Sequence, residues 1–222
     1  MTVIIYFNEA IEGIRMPRVS RAQAESHREA ITEASARLFR ERGIKAVSVA
    51  DLMGAAGLTH GGFYGHFESK DVLAGVAGEH AFAQATERWR KRVAGKAAPA
   101  EARAAIVEGY LRPQSIRDVA SGCPTAGLCV DVAREPAEAP VRAAYVAGLQ
   151  EMVDILAKAE DAGDAAADRR AALADYATML GAMLMARAAA GHPIAGEIVA
   201  AARERLLPVP AKPVRARRTT RT

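Results

Sequence analysis

Two cysteines in 222 residues cannot build a disulfide framework, and that scarcity fits a reducing compartment. No run approaches the roughly eighteen apolar residues of a membrane-spanning helix, so no membrane partner is expected. The opening stretch contains Glu9 and Glu12 and lacks a basic start, which argues against a secretory signal and for a cytoplasmic chain. His27, His60, His66, His80 and His192 are scattered, no HExxH or CxxC spacing occurs, and no convincing strand leads into a glycine-rich loop. A nucleophile beside a base and an orienting group is also missing. These absences speak against an enzyme, a metal site and a bound cofactor. The acidic stretch Asp161 to Asp168 reads as a solvated turn around Gly163, without the spacing of a cation site. The formal net charge is only +4, so affinity for a nucleic acid would depend on where cations sit, not on total charge.

What is present is a helix-turn-helix pattern between Ser48 and Lys70. Ser48 followed by Asp51 is a capping box opening a short helix with Val49, Leu52 and Ala55 on one side, and Gly57 ends it. The tight turn suits a pair whose second helix lies in a DNA major groove. That second helix, expected from about Thr59 to Phe67, buries Phe63 and Phe67. It leaves Gly61 and Gly65 on the opposite face, flanked by His60, Tyr64, Gly62 and His66. Each glycine costs roughly 1 kcal/mol of helix stability relative to alanine, so something must press close to this bare backbone. A phosphate or base edge fits, with Thr59, His60, Tyr64 and His66 able to hydrogen-bond; close packing against another protein helix is the alternative. Ser69 caps the next helix, and Lys70 at its first position faces the positive end of the dipole, which a bound phosphate would make favourable.

Residues 27–73 resemble the N-terminal domain of the TetR/AcrR family of bacterial transcriptional regulators. The pattern is an arginine-rich first helix ending Leu38-Phe39-Arg40-Glu41-Arg42-Gly43, then Ser48-Val49-Ala50-Asp51-Leu52, Ala56-Gly57-Leu58-Thr59, Phe63-Tyr64 and His66-Phe67-Glu68-Ser69-Lys70-Asp71-Val72-Leu73. The resemblance implies an all-α homodimer whose N-terminal domains bind a palindromic double-stranded DNA operator and whose C-terminal domain takes a small-molecule effector. It also implies DNA contacts at Ser48, Thr59, His60, Tyr64, His66 and Lys70. Gly62 departs from it, since the family often has threonine, serine or alanine there.

The expected architecture is all-α with about nine helices. Residues 1–20 form an extension and basic arm carrying Arg18, 21–68 the helix-turn-helix domain, 69–207 a ligand-binding and dimerisation domain, and 208–222 a basic disordered tail. The first helix runs from about Gln23 to Arg42, with His27 and Arg28 placed to approach a phosphate. A long helix from Lys70 to about Val93 joins the reading head to the rest and would carry a signal. Further helices are expected at about Ala100 to Leu111, from Pro124, at Pro136 to Glu160, Asp168 to Ala190 and Ile194 to Leu206, with a loop at Arg112 to Ser121. Phe82, Trp89, Tyr110, Cys123, Tyr145, Leu149 and Met152 are candidate walls of a cavity for an apolar or aromatic effector, although such residues also build ordinary core. Cys123 at a helix start offers a redox-sensing alternative. Leu173, Tyr176, Leu180, Met183, Leu184, Ile198 and Leu206 mark a hairpin that would pair with its copy across a two-fold axis as a four-helix bundle. A helical interaction module would explain that hairpin but not the glycine-rich segment or Lys70.

Overall fold

The computed structural model describes residues 20–207, so the expectations for the N-terminal extension, Arg18 and the basic tail fall outside the described residues. Nine α-helices and one 3-10 segment are found among them, with no strand. They are α1 (Arg21–Arg42), α2 (Val49–Ala55), the 3-10 segment His60–Gly65, α3 (Lys70–Val93), α4 (Pro99–Tyr110), α5 (Pro113–Arg117), α6 (Pro124–Arg134), α7 (Pro140–Ala157), α8 (Ala165–Ala188) and α9 (Pro193–Leu206). None of the described helices is long and apolar enough to cross a membrane.

Local chemistry sets most of the boundaries. Ser20, Ser69 and Asp164 accept backbone N–H bonds at the starts of α1, α3 and α8. Proline occupies the first turn of α4 to α7 and of α9, where its missing N–H costs nothing. Two expectations change for this reason. The anticipated loop after Arg112 contains α5, started by Pro113, and α7 begins at Pro140 instead of Pro136. Ala139 is extended (φ −60°, ψ 132°), as the residue before a proline prefers, so the helix cannot reach further back.

Two apolar clusters hold the chain together, and α3 belongs to both. Its N-terminal half places Leu73, Ala74, Ala77 and Ala81 with Ile31, Phe39, Leu52, Phe63 and Phe67. Its C-terminal half places Phe82, Ala85 and Trp89 with Ile106, Met152, Leu156, Tyr176 and Met183. The first cluster also takes Leu128 and Val132 from α6 and Val141 from α7, so the N-terminal helices pack directly on the larger bundle. Helix α7 lies very close to α3: a Cβ on Gly148 would stand 2.1 Å from Phe82 Cγ, and one on Gly75 would stand 2.8 Å from Pro140 Cβ.

Polar ties complete the bundle. Arg103 of α4 donates to Asp175 Oδ2 of α8 (2.7 Å), to Glu160 Oε1 after α7 (3.2 Å) and to the Leu206 carbonyl at the end of α9. One guanidinium thereby satisfies two largely buried carboxylates and an orphan helix-terminal carbonyl. Between the N-terminal helices, Glu33 of α1 meets His80 (2.6 Å) and Gln84 (2.7 Å) of α3.

Candidate nucleic-acid interface

Ser48 and Asp51 form the complete capping box that opens α2. Asp51 N–H donates to Ser48 Oγ (3.1 Å) and Ser48 N–H to Asp51 Oδ2 (2.9 Å). These bonds hold the Asp51 carboxyl below its ordinary range, the Ser48 hydroxyl being the largest cause. Gly57, at φ +72°, turns the chain after α2. The next segment is a 3-10 helix, not the α-helix expected from Thr59 to Phe67. Gly62 N–H donates to the Thr59 carbonyl (3.1 Å) and His66 N–H to that of Phe63 (2.9 Å), both bonds spanning three residues. Three glycines weaken the α ladder here, while Phe63 and Phe67 still anchor the segment in the core.

The tighter helix changes which groups line up. Residues three apart eclipse in a 3-10 helix, so Gly61 aligns with Tyr64 and Gly62 with Gly65. Both rows face outward, and all four residues are exposed. A Cβ at Gly61 or Gly65 would meet nothing within 4 Å among the described residues, so none of the described helices presses on that face. Gly62 differs, since its Cβ would rest 3.6 Å from Met53 Cε.

Around this bare backbone stand the other candidates. Tyr64 is 72% exposed, its ring edge-on to Phe63 at 5.2 Å. Thr59 and His60 are exposed, and the Thr59 hydroxyl makes no capping bond. His66 is half-buried, edge-on to His27 at 5.9 Å. Lys70, first residue of α3, makes no ion pair among the described residues. Ser48 is exposed with its hydroxyl engaged in the cap. Arg28 is placed differently from a free phosphate ligand: it donates to the His66 carbonyl and lies 4.2 Å from the Phe67 ring centroid. Its guanidinium staples the end of the 3-10 segment to α1.

Residues 31–76 match the bacterial regulatory proteins of the tetR family. That match is confined to the segment from the middle of α1 to the first turns of α3. Among curated relatives, the repressor KstR2 of Mycolicibacterium smegmatis is 38% identical over 52 residues, 23% of this chain and 25% of KstR2. The repressor BepR of Brucella suis is 37% identical over 68 residues, 30% of this chain and 32% of BepR. The match thus spans only a quarter to a third of those relatives. The fold extends further: a TetR-family transcriptional regulator from Agrobacterium tumefaciens superposes with a TM-score of 0.69 at 23% identity, over 83% of this chain and all of that one.

In the C-terminal helices the expected effector residues separate into two groups. Trp89, Tyr110 and Cys123 line a cavity of about 60 Å³ between α3, α4, the α5–α6 connection and α8. Phe82, Tyr145, Leu149 and Met152 belong to the core and its edge, with Phe82 edge-on to Tyr145 at 5.6 Å, and do not reach the cavity wall. The wall is also more cationic than expected, adding Arg88, Arg92, Arg112 and Arg187. Arg187 carried a signal in the sequence, as an arginine four residues after Met183 on an apolar helix face. The Cys123 thiol lies 3.4 Å from the Tyr176 hydroxyl, and burial raises the thiol of Cys129.

The hairpin residues also divide. Tyr176, Met183 and Leu206 are buried in the chain's own core and have no surface to offer a second copy. Leu173 is exposed and Leu180, Leu184 and Ile198 are half-buried, with Met185 and Ile194 exposed nearby.

Proposed function

We propose that this chain is a ligand-responsive DNA-binding transcriptional regulator. It acts in the cytoplasm as a repressor, binding a palindromic operator as a homodimer and leaving it when a small molecule occupies the C-terminal domain. The observation that carries this reading is the outward face of the 3-10 segment, where backbone is left bare beside an exposed Tyr64 and next to Lys70 at a helix N-terminus. Bare backbone admits close approach of a DNA strand, and the α3 N-terminus with Lys70 suits a phosphate. Tyr64 and His60 then reach base edges or sugars in the major groove.

Dimerisation through α8 and α9 fits the exposed Leu173 and the half-buried Leu180, Leu184 and Ile198 at the edge of the core, with Gly181 leaving open space for close helix approach. Two reading heads on a two-fold axis would occupy successive major grooves about 34–36 Å apart. Because α3 runs through both cores, a change in the C-terminal domain would tilt it and alter the separation of the heads.

The test is footprinting of the purified protein on DNA flanking its gene across a salt series, with Tyr64→Ala alongside. A two-fold symmetric footprint with a steep salt slope is expected, lost in Tyr64→Ala without loss of helicity. A Tyr64→Ala variant that protects the same DNA with unchanged affinity would refute this use of the surface.

A further inference from the structure

The cavity beside Trp89 is built for negative charge. Arg88, Arg92, Arg112 and Arg187 line it together with a single acid, Asp118, whose carboxylate already accepts from the N–H and hydroxyl of Ser121. None of the four arginines makes an ion pair among the described residues. The Tyr110 hydroxyl on the same wall, in a residue only 5% exposed, has no hydrogen-bond partner among the described residues, and neither has Arg187 Nε.

A fifth arginine comes from the reading head. Arg40 of α1 is 3% exposed and donates through Nε to the Ala120 carbonyl (2.6 Å), but both its terminal nitrogens are buried without a partner among the described residues. It is not itself on the cavity wall but is bonded to the Ala120 carbonyl, directly beside the wall residues Ser121 and Gly122. Burial, followed by the repulsion of Arg88, pulls its pKa down to about 10. Backbone has been cleared for these side chains: a Cβ on Gly127 would stand 2.9 Å from Arg40 Cγ, one on Gly109 2.4 Å from Arg92 Nε, and one on Gly122 2.6 Å from Arg187 Nη2. A buried guanidinium with unmet donors is costly unless an anion completes it.

We propose that this cavity is a receptor for a small oxyanion, a carboxylate or phosphate group, bound by Arg88, Arg187 and the Tyr110 hydroxyl and completed by Arg40, which reports occupancy directly to α1. The volume, about 60 Å³, is well below the roughly 300–1,000 Å³ of drug-sized sites, so the ligand is small. Trp89 and Met183 give its body an apolar wall, and the exposed Arg112, Asp118 and Ser121 form the rim by which it enters. The signalling half of the proposal rests on the regulator reading above; the binding half does not. The contact from α1 is reinforced by the Ile44 N–H donating to Asp131 Oδ2 of α6 (2.9 Å) and by the Lys45–Glu135 pair (2.8 Å), so α6 and the end of α1 move as one piece. The signal therefore has a second route beside α3.

Isothermal titration of the full-length protein with inorganic phosphate, benzoate and the neutral benzamide, at fixed ionic strength in chloride, tests the binding half. One phosphate or benzoate per protomer is expected, with no benzamide binding, and the stronger of the two anions tells which acid group the site takes. Arg40→Met and the milder Tyr110→Phe should each weaken binding about tenfold to a hundredfold, as loss of a hydrogen bond to a charged group does. Silence from both anions, equal binding of benzamide, or wild-type affinity in both variants would overturn the site. Operator affinity, followed separately by fluorescence anisotropy, tests signalling. Weaker DNA binding in the presence of the binding anion, absent in Arg40→Met, supports the Arg40 route, whereas anion binding that leaves operator affinity unchanged overturns that half alone.

Discussion

Replacing Gly61 and Gly65 together by alanine should move stability and DNA affinity in opposite directions. Neither glycine has a positive φ, and a Cβ at either site meets nothing within 4 Å, so the folded chain accepts both methyl groups without strain. The unfolded chain loses conformational freedom, a gain of about 0.4–1 kcal/mol per site and about 0.8–2 kcal/mol for the pair. In a chain of this size that raises the melting temperature by about 2–8 °C, read by circular dichroism. On DNA the same methyl groups would fill the space a nucleic-acid strand must occupy. Overfilling a close contact costs about 1–3 kcal/mol, which is a roughly 5- to 150-fold loss of affinity in an anisotropy titration with an operator fragment. Unchanged affinity in a stabilised variant would mean that nothing lies against the bare face. A lower melting temperature would mean that the backbone there does not tolerate alanine.

Gly148→Ala should destabilise the chain by about 1–3 kcal/mol, because the new methyl falls on the Phe82 ring where α7 meets α3; urea denaturation measures it. Arg103→Met leaves Glu160 and Asp175 facing each other without their shared cation, and should cost about 3–5 kcal/mol, with α4, α8 and α9 becoming less protected in hydrogen exchange. Acid should weaken the fold in a defined direction. Asp51, held by Ser48, and Asp118, held by Ser121, both titrate below their ordinary values in the folded chain. The unfolded chain therefore binds protons first, and their contribution, present at neutral pH, fades as pH falls below about 4. Thermal melts between neutral and acid pH should show that loss, reduced in Ser121→Ala.

The elements legible in the sequence are those specified by neighbours along the chain. Ser48 with Asp51, Gly57, Ser69 before Lys70 and the prolines at helix starts act through bonds to residues within one turn, so their identities alone announce them. The burial of Phe63 and Phe67 follows in the same way from apolar spacing. The winding of the segment between them did not. An α-helix and a 3-10 helix satisfy the same side-chain pattern over two turns, and the choice rests on backbone bonds that three glycines leave weakly biased. Nor could spacing distinguish cavity wall from core. Trp89 and Phe82 lie on the same helix and are both buried, yet only Trp89 meets empty space, because the arginines of α3, α4's end and α8 meet there.

Taken alone, then, the sequence determined an all-α chain with a helix-turn-helix head, a glycine-rich segment anchored by Phe63 and Phe67 and one long helix leading away from it. Each of these depends on interactions of short range along the chain. The tertiary structure decided that Arg28 is a staple, that Tyr176, Met183 and Leu206 serve the chain's own core, and that Arg40 is buried beside a cavity of arginines. Such outcomes depend on which distant helices meet. A guanidinium on α1 acquires its meaning only when the connection before α6, 80 residues later, lays a carbonyl against it and leaves its terminal nitrogens without a partner among the described residues.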